Sequence, residues 1–203
     1  MTNTTLRSSR GLSLIETTVV LSVLTVLTST LAPAVHDYVV DARGVKARSD
    51  MDNIAVAVAR LAFDVPAARA RTWAELDVLV GAGEIPGADA AGTEPWLATV
   101  DSGRAATLDD HLVTNQPGFA RRTAFGGSLV ARGWAGPYLT TGVGPDPWGN
   151  RYAVSVGNLA GDAGLSAVVI SAGPNGRIET PFGGRGAAPE SDDLVVTISG
   201  GRR

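Results

Sequence analysis

Oxygen-bearing side chains gather near the end of the chain. SAGPNGRIETPFGGRGAAPESDDL, Ser171 to Leu194, carries Ser171 and Asn175 at one end and Glu190, Ser191, Asp192 and Asp193 at the other. Hard cations such as Ca²⁺ take about six to eight oxygens from carboxylates, amides and carbonyls on bent loops, so this segment has the right donors. The same residues equally suit a solvated polar loop with Asp193 leading into a strand. Asp109-Asp110-His111 sets two acids beside an imidazole. Adjacent residues on a helix do not face one another, so the expectation there is an exposed face rather than an acid–base dyad. GAGEIPG, Gly81–Gly87, has glycines but lacks the Lys-Ser/Thr of a phosphate loop. His36 lies beside an apolar run, and no Ser/His/Asp set has readable spacing. The chain reads as a non-enzyme with no catalytic residue.

One more acid is out of place. Glu16 opens an apolar run, and from Thr17 to Val35 there are 19 residues without a charge. As a helix they span about 28 Å, close to a hydrocarbon core. Arg7 and Arg10 precede the run, which predicts a cytoplasmic N-terminal side and an exported remainder. A cleaved secretory signal is one reading, with TLAPA at Thr30–Ala34 as a passable cleavage site; a plain membrane anchor is another. Neither accounts for Glu16, because a carboxylate within a membrane helix costs roughly 2.5–3.5 kcal/mol without a partner. Cleavage after Gly11 would supply one. The new amine of Leu12 lies one turn from Glu16, and in a bundle of identical helices it can meet the carboxylate of a neighbour and fix axial register.

These residues need elements to position them. Ala47, Met51, Ile54, Ala55, Val58, Leu61 and Ala62 recur at three- and four-residue spacing, with charges on the other faces. The helix is expected to end near Asp64, because Pro66 cannot continue it; Pro33 and Gly44 are its weak points. TWAELDVLVGAG, Thr72–Gly83, reads as a short helix with a capping box, and TLDDHLV, Thr107–Val113, as another. Three β-branched runs follow, Tyr152–Val156, Ala167–Ile170 and Leu194–Ile198, and suggest an antiparallel meander laid over the amphipathic helix. In the turn before the first run, Pro147 presets φ, Gly149 and Asn150 tolerate positive φ, and Trp148 and Tyr152 can anchor it on the core.

At 203 residues there is room for one domain plus an appendage. Seventeen basic residues against 20 acidic ones give a net charge of −3, so no nucleic-acid partner is expected. The absence of Cys excludes disulfides, thiolate metal sites and a Cys nucleophile.

The short basic leader, Gly11, a hydrophobic residue after it and Glu16 ahead of an apolar helix together resemble the class III signal of type IV pilins and type II secretion pseudopilins. Pro33 lies where many members carry a kinking proline; Leu12 replaces the usual Phe. GWAGPYL at Gly133–Leu139 and DPWGNRY at Asp146–Tyr152 are similar to motifs of the major pseudopilins. They favour the secretion branch over a type IV or competence pilin, as does the lack of a Cys-closed loop. A membrane-anchored binding domain that never polymerises is the other alternative.

The resemblance covers 7–65 and 133–199. It implies an α+β, type IV pilin-like fold, a long N-terminal helix packed on a small C-terminal antiparallel sheet. The corresponding segments are a leader at 1–11, a transmembrane and polymerisation helix at 12–35, its amphipathic continuation at 36–65, and a periplasmic domain at 66–203. That domain would comprise a helical and loop insert at 66–132 and a β-meander at 133–199. The implied function is a structural subunit of a periplasmic pseudopilus that drives protein export. A prepilin peptidase would cut between Gly11 and Leu12, the new amine would be methylated, and Glu16 and Pro33 would serve assembly. The implied partners are other copies of the chain, minor pseudopilins and an inner-membrane assembly platform. The implied location is the bacterial inner membrane, single-pass. The family's corresponding loop binds calcium, which carries over to Asn175, where the family more often has Asp, and to Asp192 and Asp193.

Overall fold

The computed structural model describes residues 13–65, 75–88, 90–122, 133–156, 167–183 and 189–198. The chain divides into two units, Met1–Ala42 and Arg43–Arg203. Helix α1, Leu14–Asp64, is unbroken through Pro33 and Gly44. Its first part is exposed on every side. Thr and Val lose rotamer freedom in a helix, yet this part is rich in both. All seven hydroxyls of the apolar run bond back to carbonyls three or four residues earlier, from Thr17 onto Leu14 at 2.8 Å to Thr30 onto Leu27 at 3.0 Å. No hydroxyl in the run then needs an outside partner. This helix is long and apolar enough to cross a membrane.

In the second unit α1 buries one face: Ala47, Met51, Ile54, Ala55, Ala57, Val58, Leu61 and Ala62. That face lies on a five-stranded sheet of order β3-β1-β4-β5-β7, with β1 Val78–Val80, β3 Ala105–Thr107, β4 Ala153–Ser155, β5 Ala167–Ser171 and β7 Leu194–Ile198. The two remaining strands, β2 Gly87–Ala88 and β6 Arg177–Ile178, pair separately. The architecture is α+β, but the sheet is mixed rather than antiparallel. β4, β5 and β7 form the expected antiparallel run, whereas β1 pairs antiparallel with β4 and parallel with β3.

Three strands, β1, β2 and β3, therefore come from 66–132, which is more than a helical and loop insert. The helix expected over Thr72–Gly83 is corrected: none of its described residues, 75–83, is helical. Val78-Leu79-Val80 is the interior strand β1, because pairing on both edges and burial on both faces outweigh a local capping signal. Thr72 lies outside the described residues. Asp110–Thr114 is helical, as a π-turn.

Strand alternation sends side chains to two layers. Leu79, Val154 and Val169 face the α1 layer, together with Tyr152 and Ile198. Val78, Val80, Ala153, Val168 and Ile170 face a second layer built on Trp96 and Ile178. Trp96 donates its Nε1–H to the Thr180 carbonyl at 3.0 Å and packs edge-on to Phe182. Arg151 is buried there, its Nη2 donating to the carbonyls of Trp96 and Ala98 at 3.0 and 2.9 Å.

Candidate functional site

Glu16 sits in the first turn of α1, where the helix dipole favours an acid, and it is exposed. Pro33 lies inside the helix. Gly11 and Leu12, the expected cleavage pair, lie outside the described residues.

The two Trp-bearing motifs act as scaffold. Trp134 is buried and donates to the His111 carbonyl at 3.2 Å, with the Arg121 guanidinium 5.0 Å above its ring. Tyr138 stacks edge-on to Trp134 and donates to Asp64 Oδ2 at 3.1 Å, tying the motif to the end of α1. Burial, with the Asp64 carboxylate beside it, pushes the Tyr138 hydroxyl up to about 12. In Asp146–Tyr152 the anchor is Asp146. Its Oδ1 accepts from the amides of Trp148 and Asn150 at 3.0 and 2.8 Å, and its Oδ2 accepts from the Ser171 hydroxyl at 2.7 Å. Trp148 is only half-buried. Gly149 takes φ +99°, whereas Asn150 does not need a positive φ. Tyr152 is buried and donates to Asp50 Oδ2 at 3.3 Å.

The loop after β5 brings the expected oxygen donors close in two linked pieces. The Asn175 amide donates to Asp192 Oδ2 at 2.9 Å, and Asn175 Nδ2 donates to Glu179 Oε1 at 2.9 Å. Asp193 is buried, and its Oδ2 accepts three hydrogen bonds: from the amides of Glu179 and Thr180 at 3.0 and 2.7 Å, and from the Thr180 hydroxyl at 2.7 Å. Gly173 has φ +63°, and a Cβ there would collide with the Asp192 carbonyl, so glycine lets the two ends of the loop approach. In this loop two buried acid oxygens, Asp193 Oδ1 and Glu179 Oε2, have no hydrogen-bond partner among the described residues. Burial raises the Asp193 carboxyl above the usual carboxylate range, against the hydrogen bonds from Thr180 and Glu179.

Unpartnered acid oxygens are the donor chemistry of a hard cation, but Asn175 turns its Nδ2 to Glu179, and its Oδ1 accepts from the Arg177 amide at 2.7 Å. Among the described residues, however, no three His, Cys, Asp or Glu side chains group as a metal site, so amide and carbonyl oxygens would have to complete one. Ser171 belongs to the Asp146 turn instead. Glu179 is the residue that sequence reasoning missed; it is the one acid between Asn175 and Glu190.

Asp109-Asp110-His111 is not an exposed face. His111 is buried, its Nδ1 lies 3.1 Å from the Thr107 carbonyl, and Nε2 has no hydrogen-bond partner among the described residues. Burial lowers its pKa. Asp109 Oδ1 accepts from the Val143 amide at 2.8 Å, so the first acid holds a neighbouring segment and is not aligned with the imidazole. A groove of about 620 Å³ runs between α1 and residues 138–145, and Lys46 and Asp50 pair within it at 2.7 Å. Compared with known protein families, characterised proteins and solved structures, the chain matches none.

Proposed function

We propose that this chain is a structural subunit of a pseudopilus. The first part of α1 anchors it in the bacterial inner membrane, and the second unit lies in the periplasm. A prepilin peptidase cuts between Gly11 and Leu12. Released copies then stack with their long helices together, assisted by minor pseudopilins and an inner-membrane platform, and the growing filament drives protein export. The observation that carries this reading is the division of labour along α1. Its first part is apolar and exposed on every side, with one acid in the first turn, while its second part buries a stripe against a mixed sheet. An ordinary anchor has no use for Glu16, whereas a bundle of identical helices with freshly cut amines does.

Calcium belongs to this proposal as a loop staple. Asp193 and Glu179 would hold it, with Asp192 and Asn175 adding oxygens. A bound calcium supplies positive charge to acid oxygens that otherwise lack partners.

Glu16→Ala tests the assembly reading. Membrane insertion should survive and filament formation should be lost, read by electron microscopy of membrane extracts together with mass spectrometry of the mature N-terminus. Unchanged assembly, or a native chain that still begins with Met1, would overturn it.

A further inference from the structure

We infer that the groove between α1 and residues 138–145 is a preformed slot for an extended segment of another protein, one that carries a carboxylate among apolar side chains. This goes beyond the polymer reading and does not depend on it.

The slot has two fixed ends. Tyr138 donates to Asp64 Oδ2 at 3.1 Å and Tyr152 to Asp50 Oδ2 at 3.3 Å, which ties the wall to α1 at two points. Fourteen residues of helix separate those acids, an advance of about 21 Å. Between the ties the wall is held by groups that do not line the groove. Val143 is buried; its amide donates to Asp109 Oδ1 at 2.8 Å, and its carbonyl accepts from the Ala82 amide at 3.0 Å. What stays open is the groove of about 620 Å³, with Ile54, Ala57 and Val143 as its apolar lining. A slot fixed in advance does not have to be ordered when a partner enters.

The wall presents bare backbone. Among the described residues, the amides of Leu139, Thr140, Thr141, Gly142 and Gly144 make no hydrogen bond, and all but Leu139 are exposed. Glycine at 142 is required, because a Cβ there would strike the Asp109 carboxylate. An extended strand pairs with such a row: main-chain bonds give affinity, and alternate side chains give choice. A helix has spent its own amides and carbonyls internally and cannot. At about 3.3 Å per residue the slot takes about six residues.

The opposite rim carries Lys46, Asn53 and Arg60 at seven-residue spacing. Lys46 is paired with Asp50 at 2.7 Å, so that end is neutral. Arg60 is exposed and has no ion-pair partner among the described residues. Asp64, the acid one turn on, takes the Tyr138 hydroxyl and does not line the groove. The charged residues of the slot therefore leave one positive charge over, which selects a carboxylate.

The probe is a displayed library of random heptapeptides, panned on the full chain in detergent. Selected sequences should carry Asp or Glu among apolar residues, and a selected peptide should protect the amides of Thr140, Thr141 and Gly142 from hydrogen exchange. Arg60→Glu should weaken its binding by about 5-fold or more, and replacing the peptide's acid by Lys should return binding to that variant to within about 2-fold of the original. Thr141→Pro, which removes one amide, should weaken binding too, whereas Thr141→Ala should not; thermal midpoints show that each variant is folded. No selected binder, protection elsewhere, or indifference to Arg60→Glu overturns the inference. So does protection of the same amides by self-association alone, which would make the slot a contact between copies. Glu16→Ala should leave peptide binding intact, so the polymer reading and this one fail separately.

Discussion

Asp146 and Asp193 are both buried aspartates in turns, 4% and 3% exposed, and they reach opposite hydrogen-bond states. Asp146 engages both oxygens, one on two backbone amides and the other on a hydroxyl from β5. Asp193 places three donors on one oxygen and, among the described residues, leaves the other bare, as Glu179 beside it leaves one bare. A fully engaged acid serves as scaffold. A half-engaged buried acid carries a cost that something else must offset, and it marks where a cation has the most to contribute.

Three measurements sharpen that difference. Asp146→Ala removes the acceptor for three donors at once and should cost about 3–5 kcal/mol, seen as a lower thermal midpoint of the detergent-solubilised chain with or without calcium. Calcium at about 100 times its Kd should add ~2.7 kcal/mol to the unaltered chain, a rise in midpoint of several degrees. Asp193→Asn should abolish that rise, and the same midpoint in calcium and in chelator would show that the loop is held by hydrogen bonds alone.

Acid gives the smallest effect, with opposite signs at two groups. The raised Asp193 carboxyl binds a proton more readily folded than unfolded, so calcium-free stability falls as pH rises from the unfolded carboxylate range through the raised folded value. His111 binds a proton less readily folded, so stability falls as pH drops below its ordinary 6.5. The unfolding free energy measured from pH 7 to 5 should decline by up to about 1.4 kcal/mol per pH unit below 6.5, and His111→Phe should flatten that decline. An unchanged slope would mean that His111 is not the group responsible.

What could be read in advance was whatever a short period encodes. The stripe from Ala47 to Ala62 follows helical spacing, and the three late strands are compact β-branched runs. What escaped depends on partners far away in the chain. Val78–Val80 reads locally as the end of a capped helix, and only Ala105–Thr107 and Ala153–Ser155 make it a strand. Trp148 looked like the turn's anchor because it is large, but short Asp146 holds the turn by reaching two amides and Ser171. Glu179 gave no signal because its meaning depends on Asn175 and Asp193 folding onto it.

The seven back-bonded hydroxyls of α1 have a consequence for movement. A segment whose polar atoms are already satisfied within itself loses no hydrogen bond on changing surroundings. For the filament proposed above, fatty acyl chains and sister proteins would then be nearly equivalent neighbours. Extraction from a bilayer would turn on shape fit and on a single acidic group, with little rewiring along the way.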